Sequence, residues 1–391
     1  MKKIGLCLLS AVCLLTTSCG SFSTPQALIK APTVNKVMAS NLDLKSIAQS
    51  YLPQGAKLLG TNEIVTGKSV YAMDLDGDKQ DEVLAFFKIE DKFEKGFIIL
   101  KEKNNKWEKI EEKKTECNSI ARVEFTNVTG KDKKSLIVGS LISSHAGSSY
   151  KVYTFENGKF NETFLGVWNK FEILNTPSDK DNSFVFNGWI TCTGNVQKAE
   201  VFKLKDRKMY YGEDFNSHYK DFTEYYNSLI KEKPNNELAW YLLAEAQLKA
   251  GMAKDALKSM GTASQIEASK KYFPVASNNF ELLNVEALRV EKHYNGALEI
   301  LNKVYSNLEI KLTNSKDFLI DKDYDIANIY VQYGKIYLDK NDKEKAREYF
   351  TKALEAFQEL NKKGYYGTDG YIDIHRDADI NTVEAYLEKV K

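Results

Sequence analysis

The feature that most constrains the fold is a pattern of short apolar segments that recurs three times between residues 70 and 209. Segments 70–73, 123–126 and 171–174 each have strand length, and polar turn residues and a second apolar segment follow. A second feature is an apolar segment followed by a polar turn and then by a large apolar residue. This residue is Trp107 in the first unit, Phe160 in the second and Met209 in the third. The distances from Val70 to Val123 and from Trp107 to Phe160 are both 53 residues. Two features in one register predict a repeat unit of about four strands.

This organisation resembles the FG-GAP and VCBS repeats of β-propellers, and also the N-terminal part of a group of uncharacterised Firmicute lipoproteins. The resemblance rests on residues 52–59 (LPQGAKLL), on the aspartate-rich loop that follows Met73, and on Trp107. It covers roughly residues 46–212. Because a closed propeller has about four to eight blades, three units imply an open array or a partial propeller capped by other segments.

The aspartate-rich loop, residues 74–82 (DLDGDKQDE), is the best candidate metal site in the sequence. Alternating carboxylates in a tight loop can converge on one cation, and oxygen ligands suit Ca²⁺. The resemblance to FG-GAP and EF-hand-like loops implies a structural Ca²⁺ ion. Its side-chain ligands would be Asp74, Asp76, Asp78 and Glu82, and Gln80 would offer its backbone carbonyl.

Two residues depart from the pattern of those loops. Lys79 stands where the family usually has a second glycine, and Ala85 holds the place of the distal bidentate glutamate. In the second unit Asn127, Thr129 and Lys131 replace the three aspartates, so that loop is able to form without a metal. A polar turn whose aspartates bond their own backbone is therefore an open alternative to the Ca²⁺ site.

From about Phe215 the apolar pattern changes from period two to helical period. Small and large residues recur at spacings that resemble the tetratricopeptide repeat: Trp240, Leu243, Ala244, Gly251, Ala256, Met260 and Ala263, and again Tyr330, Tyr333, Gly334, Tyr337, Ala346, Phe350 and Ala353. A weaker unit lies between them, around Leu283, Val285, Leu288, Tyr294, Ala297 and Leu301. The resemblance implies stacked helix pairs with a concave groove that binds a protein or peptide. The alternative is a domain that only supports its β neighbour.

The alanines of these units, Ala256, Ala297 and Ala346, are 41 and 49 residues apart. This spacing exceeds the length of the family's repeat and implies insertions or extra turns. Residues 381–390 are expected to form a helix that caps the stack. Residues 373–379 (DIHRDAD) are interpreted as a solvated connector, with Asp379 or Asn381 as the helix cap and a metal site as the alternative.

The amino-terminal residues have the features of a secretory signal. Lys2 and Lys3 precede an apolar run over residues 4–15, which is too short to span a bilayer, and small residues lead to Cys19. This ending resembles the lipobox of bacterial lipoproteins, although Leu15 lies one residue further from Cys19 than in the commonest pattern. The resemblance implies cleavage before Cys19 and acylation there, which anchors the chain to the outer side of a cell membrane. The alternative is an ordinary signal peptide.

Four segments follow from these patterns: a signal peptide (1–18), a lipidated cysteine with a tether (19–42), a propeller-like antiparallel β-repeat domain (43–213) and a tetratricopeptide-like α-helical domain (214–391). The chain has 55 basic and 54 acidic residues and loses Lys2 and Lys3 with the signal, so its field does not attract nucleic acid. Cys117 and Cys192 remain in the folded part, and the sequence leaves open whether they form a disulfide.

The sequence shows no familiar catalytic pattern. None of the four histidines lies in a His-Glu-x-x-His motif, and we find no nucleophile elbow, phosphate-binding loop or dinucleotide fingerprint. We therefore predict a lipoprotein that acts as a non-catalytic scaffold for a protein or peptide. The second hypothesis is a lipoprotein whose β-repeat loops bind an envelope glycan or another ligand, and the third is an envelope hydrolase.

Overall fold

The structure is a computed structural model that describes residues 41–391, except for residues 61, 66, 91, 129–133, 144–146, 175–182, 193–195, 268–276, 311–315 and 367–370. Residues 43–391 form one compact unit. The predicted signal segment, Cys19 and residues 20–40 of the predicted tether lie outside the described residues.

Thirteen strands are found among the described residues, and all lie before residue 212. They are β1 (Ala56–Leu58), β2 (Val70–Met73), β3 (Glu82–Ile89), β4 (Glu94–Lys103), β5 (Lys106–Thr115), β6 (Ser119–Thr126), β7 (Ser135–Ser143), β8 (Gly147–Glu156), β9 (Lys159–Trp168), β10 (Lys170–Leu174), β11 (Phe184–Thr191), β12 (Gln197–Lys205) and β13 (Lys208–Tyr211). The predicted first strand, residues 70–73, coincides with β2.

The strands form three antiparallel sheets, one for each predicted repeat unit. The first sheet contains β1–β5, with β1 and β2 both paired to β3; the second contains β6–β9 and the third β10–β13. The four-stranded unit is therefore confirmed, with β1 as an addition to the first. The described strands form separate sheets and no closed ring, so closure into a propeller is not seen in this part of the chain.

The polar turn of the second sequence feature adopts the same backbone conformation in all three units. Residues 104–105, 157–158 and 206–207 all have positive φ angles, between 49° and 78°. Two successive residues with positive φ are typical of the tight turn that matches the twist of two antiparallel strands. The register inferred from the sequence thus reflects a repeated hairpin.

The three sheets stack through apolar faces. Leu84 and Phe86 of the first sheet share a core with Leu136 and Val138 of the second. Ile137, on the opposite face of the second sheet, belongs to another core together with the third sheet. Because both faces of each sheet are covered, strands such as residues 83–87 are continuously apolar rather than alternating.

Helices cover the two outer faces of this stack. Ala48 of α1 (Asn41–Ser50) packs on Val83 and Ala85 of the first sheet. At the other end, Trp189 of the third sheet contacts Phe222 edge to face, with 5.0 Å between the ring centroids. Phe222 lies on α2 (Asn216–Glu232), which follows the last strand after a short connection.

Seven further helices follow α2 in the described part of the chain. They are α3 (Glu237–Lys249), α4 (Ala253–Glu267), α5 (Ser277–Val290), α6 (Tyr294–Ile310), α7 (Lys316–Asp339), α8 (Lys343–Lys362) and α9 (Tyr371–Lys389). The pairs α3–α4, α5–α6 and α7–α8 correspond to the three predicted units. The 24 residues of α7 supply the extra turns that the wide spacing implied.

Small residues lie where the helices of a pair cross, as the pattern predicted. Ala256, Ala297, Ala346 and Ala353 are fully buried. At Gly334 of α7, a β carbon would lie 2.5 Å from the ring of Phe350 on α8, well inside van der Waals contact. Only a residue without a side chain allows this close approach.

The interpretation of residues 373–379 as a solvated connector is wrong. The helix α9 begins at Tyr371, so these residues form its first turns, and Asp379 is only 5% exposed. Neither Asp379 nor Asn381 caps the helix. Their side chains instead bond to the third sheet and its neighbours, an arrangement that the local sequence pattern does not encode.

Cys117 and Cys192 are free thiols in the structure. Cys117 is buried in the core between the first and second sheets, and Cys192 follows the end of β11 in the third. Within the residues that the structure describes, no helix has the length and apolar character needed to cross a bilayer.

Candidate functional site

The helices α2–α9 form an arc whose two ends rest on the third sheet. At the near end α2 packs on this sheet through Trp189 and Phe222. At the far end, Nδ2 of Asn381 on α9 donates a hydrogen bond of 2.9 Å to the carbonyl of Met209 on β13. The backbone N–H of Tyr211 donates to Oγ1 of Thr382, 3.2 Å away. The inner side of the arc is thereby enclosed by the sheet.

The arc and the sheet surround a space that we call the central chamber. One part, of about 510 Å³, lies between β12, β13 and helices α2, α3, α7 and α9. A second part, of about 610 Å³, lies between α3, α5 and α7. The two parts share several charged wall residues, namely Lys198, Glu213, Glu245, Lys249 and Lys335. A concave site of this size, lined by several converging polar groups, is the default place for a ligand.

Two ion pairs line the chamber. Nζ of Lys198 is 2.7 Å from Oε1 of Glu200, its neighbour but one on β12. Nζ of Lys249 is 2.7 Å from Oε1 of Glu245, one turn earlier on α3. Burial would raise the pKa of Glu245, but Lys249 and then Lys198 outweigh it, and the pKa is lowered. Both pairs are therefore charged at neutral pH.

Three further ion pairs lie at the wall, and two of them join separate elements of the fold. Nζ of Lys335 on α7 is 2.7 Å from Oε1 of Glu213, in the connection between β13 and α2. Arg289 on α5 pairs with Glu286 at 2.7 Å and also with Asp339. These contacts tie α7 to the sheet side and α5 to the end of α7.

The walls nevertheless carry more negative than positive groups. The side chains that are basic at neutral pH are Lys198, Lys249, Arg289 and Lys335. The acidic residues are Glu200, Glu213, Asp214, Glu245, Glu286, Asp325 and Asp379. Burial lowers the pKa of His375, although Glu200 opposes that shift, so this imidazole adds little positive charge at neutral pH. The chamber is thus a net acidic site.

One acidic oxygen in the chamber lacks a hydrogen-bond donor. Oε2 of Glu200 is buried and accepts no hydrogen bond from the described residues, and Nε2 of His375 lies 3.4 Å from it. Burial alone would raise the pKa of Glu200, but Lys198 and then His375 outweigh it and lower the pKa to about 2. Burying a charged oxygen without a hydrogen-bond donor costs free energy, and such atoms are usually bonded to a water molecule or a ligand.

Asp379 sits at the junction of α9 with the sheet, in a cage of tyrosines. The hydroxyl of Tyr366 donates to its Oδ2 at 2.8 Å, and that of Tyr211 donates to its Oδ1 at 3.0 Å. Burial raises the pKa of Asp379 to about 7. Hydrogen bonds from Tyr366, Tyr211 and Tyr324 oppose this rise, and the charge of Glu200 adds a smaller increase. This carboxyl group is therefore half protonated near neutral pH.

The aspartate-rich loop forms a separate site beside the first sheet. Oxygens of Asp74, Asp76 and Asp78 lie within 4.8 Å of one another. Asp74 is already occupied, because the backbone N–H groups of Gly77 and Lys79 donate to its two oxygens at 2.7 and 2.9 Å. This is the self-bonded turn that the sequence left open as the alternative.

The remaining oxygens of the loop converge on an ammonium group. Nζ of Lys101, on β4, pairs with Asp76 and lies 2.9 Å from Oδ2 of Asp78 and 3.2 Å from Oε1 of Glu82. The backbone N–H of Gln80 donates to Oδ1 of Asp78, at 2.8 Å. The oxygen set fits a cation, and Ca²⁺ could use it only in place of Lys101. Calcium binding stays a prediction, with Lys101 as its competitor.

Sequence reasoning found this loop and missed the central chamber. The loop is nine consecutive residues, whereas the chamber walls come from β12, β13 and helices α2, α3, α5, α7, α8 and α9. One sequence signal could have indicated the chamber: Lys198 and Glu200 are two charged residues that alternate with apolar residues on a strand. The loops that would bind a glycan in the second hypothesis include residues 144–146, 175–182 and 193–195, which lie outside the described residues.

Residues 327–359 match the tetratricopeptide repeat family. The matched residues run from within α7 to within α8, so the predicted helical repeat is confirmed in the unit that has the better pattern. No curated protein and no solved structure matches the chain.

Proposed function

We propose that the chain is a lipid-anchored extracytoplasmic scaffold that recruits a protein segment into the central chamber and carries out no catalysis of its own. The observation that carries this proposal is the chamber itself, which lies on the inner side of a helical repeat arc. Repeats of the matched family usually serve protein–protein interaction, and stacked helix pairs present such a surface to a partner. The anchor at Cys19 rests on the amino-terminal sequence alone.

The wall chemistry supports binding more than catalysis. Each lysine in the chamber is held in an ion pair with a carboxylate of the chain, which keeps these lysines charged. The one imidazole, His375, contacts the hydroxyl of Tyr211 at 3.3 Å, and no serine or cysteine nucleophile lines either part of the chamber. Ordered ion pairs and tyrosines suit recognition of a polar chain.

Site-specific photocrosslinking tests the proposal in native membranes. A photoreactive amino acid at Val290, an exposed residue of α5 that lines the chamber, should capture a discrete protein. The same group at Glu355, an exposed residue of α8, is the matched control. A partner captured from residue 290 and not from residue 355 would support the scaffold. Equal capture from both positions, or capture from neither, would contradict binding in the chamber.

A further inference from the structure

We infer that the central chamber recognises a cationic side chain, a lysine or arginine of the partner segment. This inference rests on the proposed function and adds the chemistry of the ligand. Three independent features of the walls carry it: their net charge, an acceptor without a donor, and tyrosine faces that already hold ammonium groups.

The net charge of the chamber favours a cation. Its basic groups are already matched, since Lys198, Lys249 and Lys335 each lie 2.7 Å from a carboxylate of the chain itself. The walls have more acidic than basic residues, even when Asp379, which is half protonated near neutral pH, is left out. A negatively charged segment would be repelled by this excess of negative charge, whereas a positively charged segment would neutralise part of it.

The second feature is the need for a hydrogen-bond donor. Glu200 and Gln332 both line the chamber, and each has one buried side-chain oxygen that accepts no hydrogen bond from the described residues: Oε2 of Glu200 and Oε1 of Gln332, on α7. One acceptor belongs to the sheet and the other to the helical arc. Ammonium and guanidinium groups carry several donors and no acceptor, so they complement such a pair. A carboxylate ligand would leave both acceptors unpaired.

The third feature is the set of tyrosine rings. Nζ of Lys249 lies 5.3 Å from the centroid of Tyr219, and Nζ of Lys335 lies 5.5 Å from that of Tyr386. The walls thus already hold two ammonium groups over aromatic faces. Tyr241 and Tyr324 line the same space and offer further rings. Aromatic faces beside carboxylates are a recurrent means of binding cations.

Selection from random peptides tests the inference without assuming a sequence. The chain from Gly20 onwards would be exposed to displayed peptides of about 12 residues, each reaching roughly 40 Å when extended. Enriched peptides would be synthesised with a fluorophore and titrated by anisotropy. We expect enrichment of lysine and arginine, and affinity that falls as salt rises.

Variants then locate the contact. Glu200→Gln keeps the shape of the side chain but removes its charge, and we expect about tenfold weaker binding of the selected peptides. Glu355→Gln, on the outer face of α8, should bind as the unmodified chain does. Glu200→Gln removes the charged partner of Lys198, so the melting temperature of this variant would be measured first to show that it still folds. The salt dependence of peptide binding is measured on the unmodified protein and therefore does not depend on the variant.

The outcomes separate this inference from the proposed function. Selected peptides that are acidic or uncharged, with affinity that survives Glu200→Gln, would overturn the inference and leave a peptide-binding scaffold. Failure to select any peptide that binds would count against the inference and the proposed function together. Cationic peptides that bind both variants equally would place the contact outside the chamber and overturn the inference.

Discussion

The ammonium of Lys101 on β4 lies 3.2 Å from Oε1 of Glu82, a side chain on β3 with no exposed surface. Burial raises the pKa of Glu82, and Asp76 raises it as well, while the backbone N–H of Leu75 and Lys101 lower it. The first sheet therefore contains an internal cation at the place where a metal was expected. Its charge holds together carboxylates that would otherwise repel one another.

Replacing Lys101 with methionine should destabilise the protein and open the loop to calcium. Without the ammonium, Glu82 and Asp76 face each other almost without solvent, and breaking a buried pair costs about 3 kcal/mol. In chelator we expect the free energy of unfolding to fall by about that amount. Added Ca²⁺ should restore part of it, because the ion neutralises the same oxygens. Urea unfolding with and without Ca²⁺ measures both effects.

The matched control is Lys103→Met on the same strand. Lys103 pairs with Glu108 at 3.2 Å, but both side chains are half exposed, so its loss should change stability by less than about 1 kcal/mol. If the unmodified protein gained as much stability from Ca²⁺ as Lys101→Met does, Lys101 would not compete with the metal.

Asp379→Asn should remove a pH dependence of stability. The pKa of Asp379 rises from 3.8 to about 7 on folding because the residue is buried. Between those values the folded protein keeps a proton that the unfolded chain releases, so this residue makes unfolding easier as pH rises from about 4 to 7. The asparagine variant cannot titrate. Relative to the asparagine variant, the free energy of unfolding of the unmodified protein should fall by up to about 4 kcal/mol as pH rises from about 4 to 7.

Denaturant unfolding at several pH values measures the difference between the two proteins. Asp377→Asn is the control, because Asp377 lies on the same helix with a half-exposed side chain. We expect Asp377→Asn to follow the unmodified protein at every pH. A constant difference between Asp379→Asn and the unmodified protein would mean that Asp379 does not titrate in this window.

Gly334→Ala should weaken the last helical pair. The added methyl group would lie 2.5 Å from the ring of Phe350, which is fully buried and cannot move aside freely. Overpacking of this kind costs about 1–3 kcal/mol. Gly296→Ala, on α6, is the control, since its nearest neighbour would be 3.7 Å away. That change should leave the thermal midpoint unchanged or raise it, because alanine favours a helix.

Cys19→Ala should release the protein from the membrane. The sequence predicts that acyl chains on Cys19 provide the anchor, and two chains are needed for stable attachment. Labelling with a clickable fatty acid should mark the unmodified protein and fail on the variant. Cys13→Ala, within the apolar run, should keep both the label and the membrane fraction. Labelling that persists in Cys19→Ala would reject the lipoprotein prediction.

Local patterns in the sequence were sufficient for the repeat units. The strands, the turns at residues 104–105, 157–158 and 206–207, and the small residues of the helix pairs depend on neighbours within one unit. Period, turn conformation and helix crossing are properties of short segments, so they can be read without knowing the rest of the fold. The aspartate-rich loop was recognisable for the same reason.

Tertiary structure alone decided what the charged residues do. Lys101 reaches the aspartate-rich loop from a neighbouring strand, and Asp379 meets Tyr211 only because α9 returns to the third sheet. Glu200 and Gln332 are more than a hundred residues apart in the sequence and line one chamber. The sequence places such residues on strands and helices, but their partners depend on how distant elements pack. Solvation and charge pairing follow from that packing, so no local pattern could predict them.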